Sequence, residues 1–107
     1  LMQRLDHEFL MRQNEAPGLK KLPSDYMKEM YFSSQPMEQC HPNALKVTMD
    51  MMNAETQLLF ASDWPHWDFN PPHTITTLPF LSDEAKRNIL GLNAAKLFGL
   101  PIKRVRP

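Results

Sequence analysis

Apolar residues at helical spacing mark the start of the chain. Leu1, Leu5 and Phe9 recur at every fourth residue with charged residues between them, which predicts an amphipathic helix to about residue 13. The sequence Pro23-Ser24-Asp25 is typical of a second helix start, with Ser24 as the capping residue and the helix running to about residue 30. Both helices are short and partly polar.

The central part of the chain predicts a helix with a broad apolar face that opens at Pro42-Asn43. Its apolar residues fall into two adjacent stripes: Leu45, Met49 and Met52, and Ala44, Val47 and Met51. A helix with so wide an apolar face is usually packed well into a protein. The methionines suit irregular core gaps better than a metal site.

Two short segments on either side of this helix are predicted strands. Residues 31–35 form the first, stopped by Pro36, and residues 57–61 form the second, after a turn at 53–56. A strand–helix–strand order predicts one crossover and two neighbouring parallel strands, hence an α/β class. Because residues 57–61 are apolar on both faces, they indicate a piece of a larger α/β structure or a subunit that needs a partner.

The last third of the chain is predicted to begin with a proline-broken loop that ends at Pro79. Ser82-Asp83-Glu84 then predicts a helix start, with a capping hydroxyl and two acids at the positive end of the helix dipole. Ala85, Ile89 and Leu92 form the predicted buried stripe of this helix. Asn93 is a candidate cap for another short helix over residues 94–98, which Gly99 ends.

Composition and charge exclude several classes of function. The formal net charge is zero, which argues against a general nucleic-acid or anionic-membrane binder. No apolar run approaches the ~20 residues of a membrane span. The single cysteine, Cys40, forms no internal disulfide, so we expect a reducing, cytoplasmic setting. The basic residues at 103–106 are interpreted as a solvated tail rather than a phosphate site.

The chemistry of the chain is concentrated just after the second predicted strand. Sites gather at the carboxyl ends of parallel strands, and Asp63 should emerge at that end. A carboxylate there can bind a divalent metal and take a proton from a metal-bound water. The alternatives are a turn-forming Asp63, a hydrogen-bonded loop histidine at His66, and Trp64 and Trp67 as packing aromatics.

Two motifs at a fixed separation resemble the amidohydrolase-related family, which includes aminocarboxymuconate-semialdehyde decarboxylase. They are Phe60-Ala61-Ser62-Asp63-Trp64-Pro65-His66 and the near-terminal segment from Ile89 to Leu100. The segment from Leu22 to Glu38 is similar to the one that leads into the seventh strand in that family. The resemblance therefore covers nearly the whole chain.

This resemblance implies a (β/α)₈ TIM barrel with a divalent metal, zinc by preference, at its carboxyl face. Asp63 matches the eighth-strand aspartate, a metal ligand and catalytic proton carrier. His66, Trp67 and Gln35 are candidates for substrate contacts, and the implied substrate is a small molecule with a carbonyl or carboxylate group. Asn93 matches a near-terminal asparagine whose implied role is structural, as a cap or backbone clamp.

The chain departs from the family pattern in its histidines. The family takes its other metal ligands from a His-x-His pair and two further strand-end histidines, and this chain has only His7, His41, His66 and His73. A complete barrel needs ~250 residues. We therefore expect residues 1–107 to be the C-terminal part of one barrel domain, about its last two strands with their helices, and inactive alone.

Two functions remain open from the sequence. The first is a C-terminal segment of a metal-dependent hydrolase or decarboxylase, completed by the rest of the barrel or by a partner chain. The second is a non-catalytic interaction subunit or barrel remnant that associates, with itself or a partner, through the Met-rich helix and residues 57–61.

Overall fold

A computed structural model of the chain describes residues 1–103, so Arg104 and Arg106 of the basic tail lie outside the described residues. The chain divides into two compact units, Leu1–Met30 and a second unit that begins at Tyr31. No helix within residues 1–103 has both the length and the apolarity to cross a membrane.

The first unit contains two helices, α1 (Met2–Met11) and α2 (Pro23–Met27), with a 3₁₀ turn at Gln13–Glu15 between them. The prediction that Ser24 caps α2 is wrong. Pro23 occupies the first turn, because its fixed φ suits that position, and Ser24 lies buried inside the helix. The Ser24 backbone N–H instead donates to Asp6 Oδ1 at 2.8 Å, so a carboxylate on α1 satisfies the start of α2.

The second unit is built on two parallel strands, β1 (Phe32–Ser33) and β2 (Leu58–Leu59). Phe32 pairs with Leu58 and Ser33 with Leu59, which confirms the predicted strand–helix–strand order with strands shorter than expected. The connection contains α3 (Pro42–Met51) and α4 (Ala54–Gln57). The predicted turn at 53–56 is therefore wrong. Asn53 adopts a left-handed φ of 57°, which asparagine tolerates, and a helical turn follows it.

Four helical segments of the described chain follow β2. They are α5 (His73–Thr76), α6 (Asp83–Arg87), a π-helix at Asn88–Leu92 and α7 (Asn93–Phe98). Two of them, the π-helix and α7, pack against β2. The prediction of a proline-broken loop that runs to Pro79 is wrong, because α5 forms within it and Ile75 on α5, at 0% exposed, lies in the core. Gly99, with a φ of 63°, ends α7 as predicted.

One hydrophobic core holds the second unit together. Its buried members come from α3, α4, β2, the segment 75–78 and the π-helix: Met49, Ala54, Leu58, Ile75, Leu78 and Ile89. The first predicted stripe of α3 packs against this core. Val47, in the second stripe, remains 55% exposed, and Leu92, predicted to be buried, is 38% exposed. The chain therefore carries more apolar surface on α3 than its described residues cover.

The outer edge of β2, the edge away from β1, is closed by the C-terminal helices. The Phe60 N–H donates to the Ile89 carbonyl at 3.0 Å. The buried Asn93 side chain donates through Nδ2 to the carbonyls of Leu58, at 3.0 Å, and Glu55, at 2.9 Å. Asn93 is thus a backbone clamp and not the cap of a separate helix, since α7 continues directly from the π-helix.

The predicted cap of α6 is confirmed, because the Ser82 hydroxyl accepts a hydrogen bond from the Ala85 N–H at 3.1 Å. Replacing Ser82 by alanine is expected to lower the free energy of unfolding by about 1 kcal/mol, since one helix N–H loses its acceptor. Urea unfolding followed by circular dichroism measures this change. Ser33→Ala, at an exposed serine, is the matched control and should unfold like the unmodified chain.

Candidate active site

Asp63 lies beyond the carboxyl end of β2, where the sequence places it. Its backbone has a left-handed φ of 59°, and its carboxylate is 51% exposed. The chain segment that leads to Asp63 is held in place by Ser34, which lies just past β1. The buried Ser34 Oγ accepts a hydrogen bond from the Ala61 N–H at 3.0 Å. Aspartate is among the few residues that tolerate this φ, so the backbone turns sharply here while the side chain stays accessible.

Residues 62–70 form a loop whose two ends are joined. The Asn70 N–H donates to the Ser62 carbonyl at 2.8 Å and closes the loop. Inside it, the His66 N–H donates to the Asp63 carbonyl, also at 2.8 Å. The Asn70 side chain accepts a hydrogen bond from the Met37 N–H at 3.1 Å. The loop after β2 is thereby fixed to the segment that follows β1.

Gln35 makes the second link between the two strand ends. Its Nε2 donates to the Asp68 carbonyl at 2.7 Å. The structure therefore brings Gln35 to the same loop as Asp63, His66 and Trp67. One of the two N–H groups of Gln35 Nε2 holds this loop, which leaves the other N–H and Oε1 for a substrate contact.

The carboxylate of Asp63 and the imidazole of His66 lie close together at the carboxyl ends of the two strands. Asp63 Oδ2 lies 3.5 Å from His66 Nδ1, and the Asp68 N–H lies 3.4 Å from the same nitrogen. The two contacts exclude each other, because an ion pair with Asp63 needs a proton on Nδ1 and the contact with Asp68 needs its lone pair. When Nδ1 accepts, the imidazole presents its Nε2–H as a free donor.

The tryptophans of the loop are exposed rather than buried, which corrects the interpretation of both as packing aromatics. Trp67 is 86% exposed and its ring lies 5.6 Å from that of His66. Trp64 is 71% exposed and meets Phe69 edge to face at 4.9 Å. Exposed aromatic rings beside a carboxylate are available for contacts with a planar group or with further polypeptide.

The side chains present do not form a complete metal site. Within residues 1–103, no group of three or more His, Cys, Asp or Glu side chains is placed to hold a metal ion. Asp63 and His66 offer two such groups, whereas zinc sites use three or four protein ligands. The described residues therefore supply at most part of a coordination shell.

A family model for the amidohydrolases matches residues 15–100, which includes both strands and the loop that carries Asp63. The chain belongs to the amidohydrolase family. Amidohydrolases have a TIM-barrel fold, typically bind divalent metals and act on small molecules. This amidohydrolase chain is helix-rich with two described strands, consistent with a fragment of such a fold. A search of curated proteins gives no match.

Sequence reasoning did not find the residues that hold the loop. Ser34 accepts from a backbone N–H 27 residues away along the chain, and Asn70 accepts from one 33 residues away. The available signal was weak: a serine inside a predicted strand, and an asparagine before two prolines. Neither pattern by itself specifies a distant backbone partner.

Proposed function

We propose that this chain supplies Asp63 as the eighth-strand metal ligand and general base of a metal-dependent hydrolase or decarboxylase. The observation that carries the proposal is the position of Asp63, half exposed beyond the carboxyl end of a parallel strand in an amidohydrolase chain. Catalytic groups of TIM-barrel enzymes come from such strand ends. The motifs around Asp63 favour the aminocarboxymuconate-semialdehyde decarboxylase branch.

Asp63 has one chemical task in both reactions, which is to carry a proton. In hydrolysis its carboxylate takes a proton from the attacking water, and in decarboxylation it helps deliver or remove one at the substrate. A divalent metal, zinc by resemblance, would need histidines from outside the described residues beside Asp63. The residues present do not fit a complete zinc site, so this chain's own contribution is the proton carrier and one ligand.

We propose that three side chains contact the substrate and that this substrate carries a carbonyl or carboxylate group. The His66 Nε2–H is a donor suited to an oxygen atom, and the face of Trp67 suits a planar group. Gln35 holds the loop through Asp68 and contributes Oε1 as an acceptor. These contacts would form beside Asp63, at the carboxyl ends of the two strands.

The proposal requires ligands from the rest of the barrel or from a partner chain, so the chain alone should be inactive. Titration of the purified chain with zinc in a calorimeter, with hydrolase and decarboxylase assays of the same sample, tests this. We expect no tight stoichiometric zinc binding and no turnover. Submicromolar binding of one zinc per chain together with turnover would contradict the proposal.

The second candidate function is a non-catalytic subunit that associates through its apolar surface. The second apolar stripe of α3 favours it, because Ala44 and Val47 are exposed together on one face of the helix, and apolar side chains exposed together mark an interaction surface. Sedimentation of the purified chain separates the two functions. A homo-oligomer that buries α3 would favour the association role, and a monomer that binds a partner with the missing histidines would favour the catalytic one.

A further inference from the structure

The backbone pairing of β1 with β2 ends at a proline. The Ser34 N–H donates to the Leu59 carbonyl at 2.9 Å. In a parallel ladder every second residue of a strand turns its N–H to the same neighbour, so the next donor toward β2 would come from position 36. Pro36 has no N–H, and the Ala61 carbonyl, which that donor would reach, therefore receives no backbone bond from position 36.

The Ser34 side chain takes the place of the missing backbone. In a regular parallel ladder the Ala61 N–H would donate to the Ser34 carbonyl. It donates instead to the Ser34 hydroxyl, at 3.0 Å, and the same hydroxyl donates to the Ala61 carbonyl in a longer contact of 3.5 Å. One hydroxyl thus serves Ala61 as acceptor and as donor at the point where the two strands part.

This hydroxyl is shielded from water. Ser34 is 6% exposed, although serine is a residue usually found at the surface. Because little water competes for it, a buried hydroxyl holds its partner more firmly than an exposed one does. The next backbone N–H after Pro36, that of Met37, bonds the Asn70 side chain at 3.1 Å. The link between the strands at Ala61 therefore depends on the Ser34 hydroxyl.

Asp63 lies two residues beyond this link, and its backbone needs support. Its φ of 59° is one that residues other than glycine adopt at an energetic cost. A fixed Ala61 sets the direction from which the chain enters Asp63. The His66 N–H, bonded to the Asp63 carbonyl at 2.8 Å, sets the direction in which the chain leaves. Without the bond on the entering side, Asp63 is free to rotate to a less costly φ, which turns its carboxylate elsewhere.

We propose that Ser34 is a positioning residue for Asp63. Its hydroxyl replaces the backbone donor and acceptor that the end of β1 does not supply, and thereby keeps Asp63 left-handed at the carboxyl end of β2. Alanine at position 34 would offer neither group, whereas threonine would offer both. The geometric part of the inference concerns this chain alone. Its meaning for the reaction rests on the proposed function of Asp63 as ligand and base.

Nuclear magnetic resonance of the metal-free chain tests the geometric part. The cross-peak between the amide and Hα protons of one residue is strongest at positive φ, where the two protons lie closest. Relative to that of Asn53, which is also left-handed at φ 57°, the Asp63 cross-peak should weaken about threefold in Ser34→Ala and keep its intensity in Ser34→Thr. Unchanged intensity in Ser34→Ala would overturn the proposal, and so would its loss in a folded Ser34→Thr chain.

Ser82→Ala separates positioning from a general loss of stability. The Ser82 hydroxyl also accepts a backbone N–H, that of Ala85 at 3.1 Å, but on α6. Its removal should destabilise the chain about as much as Ser34→Ala does and leave the Asp63 cross-peak unchanged. Equal weakening in both variants would reduce Ser34 to a structural role and overturn the proposal. If Ser34→Thr does not fold, because its extra methyl group finds no space, the Ser34→Ala and Ser82→Ala pair decides the outcome.

Turnover of the completed enzyme tests the same link in the reaction, with the polypeptide that supplies the missing histidines present. If Asp63 is the base, Ser34→Ala should lower kcat about tenfold and change KM less than about twofold, because displacement of a catalytic group slows the chemical step. Ser34→Thr should restore kcat. A weakened Asp63 cross-peak with unchanged kcat would support the positioning by Ser34 and contradict the proposed role of Asp63. The two proposals therefore fail in different measurements.

Discussion

Replacing Asn93 by aspartate should lower the free energy of unfolding of the second unit by about 3 kcal/mol or more. The change is isosteric, but it replaces an NH₂ group that donates to the carbonyls of Leu58 and Glu55 with an oxygen that only accepts. Two carbonyls then lose their donor, and a carboxylate is held against them in a buried place. Urea unfolding monitored by circular dichroism measures the loss.

The control for this substitution is Asn43→Asp. Asn43 is exposed in the first turn of α3, where a carboxylate is tolerated or slightly stabilising. We expect its free energy of unfolding to stay within about a few tenths of a kcal/mol of the value for the unmodified chain, or to rise. An Asn93→Asp chain as stable as the Asn43→Asp chain would show that the clamp on β2 contributes nothing.

If Asp63 is the general base that we propose, replacing it by asparagine should reduce turnover of the completed enzyme by about 10²-fold to 10⁴-fold, because an amide cannot accept a proton as a carboxylate does. The measurement uses the chain together with the polypeptide that supplies the missing histidines, with equal metal content in both samples. Asp68→Asn is the control, since Asp68 contacts Gln35 and His66 through its backbone. Loss of activity in Asp68→Asn but not in Asp63→Asn would show that Asp68, and not Asp63, carries the proton.

The parts of the fold that were predictable are those governed by neighbours in the sequence. Ser82 caps its helix and Gly99 ends another because a hydroxyl or a left-handed φ acts within a few residues. The parallel pairing of β1 and β2 followed from the order of elements alone. These features depend little on what the rest of the chain does.

Two of the wrong predictions share a cause, which is a partner distant in sequence. Ser24 has the right chemistry for a cap, but Pro23 takes the first turn and Asp6 on another helix accepts the Ser24 N–H. Residues 73–76 lie between Pro72 and Pro79 in a segment that looks like a proline-broken loop, but they form a helical turn with Ile75 buried in the core. In each case tertiary packing overrides the local pattern.

The candidate site also has a part that was predictable from the sequence and a part that was not. The position of Asp63 was predictable, because an acidic residue that follows an apolar strand emerges at the strand's carboxyl end. The bond from Gln35 to the Asp68 carbonyl was not, since it joins residues 33 positions apart. The 3.5 Å approach of Asp63 Oδ2 to His66 Nδ1 and the left-handed backbone of Asp63 were not predictable either, since no residue pattern specifies them.

The proposal that Asp63 is the carboxylate of this chain that binds the metal is tested most directly by paramagnetic broadening of the chain's amide signals. A ¹⁵N-labelled chain is titrated with low concentrations of Mn²⁺, and the same titration is repeated with Asp63→Asn. The account predicts that the signals of Asp63, Trp64 and His66 broaden first and that the substitution removes this effect. Broadening centred on another acidic residue such as Glu8 or Asp50, or unchanged by Asp63→Asn, would contradict it.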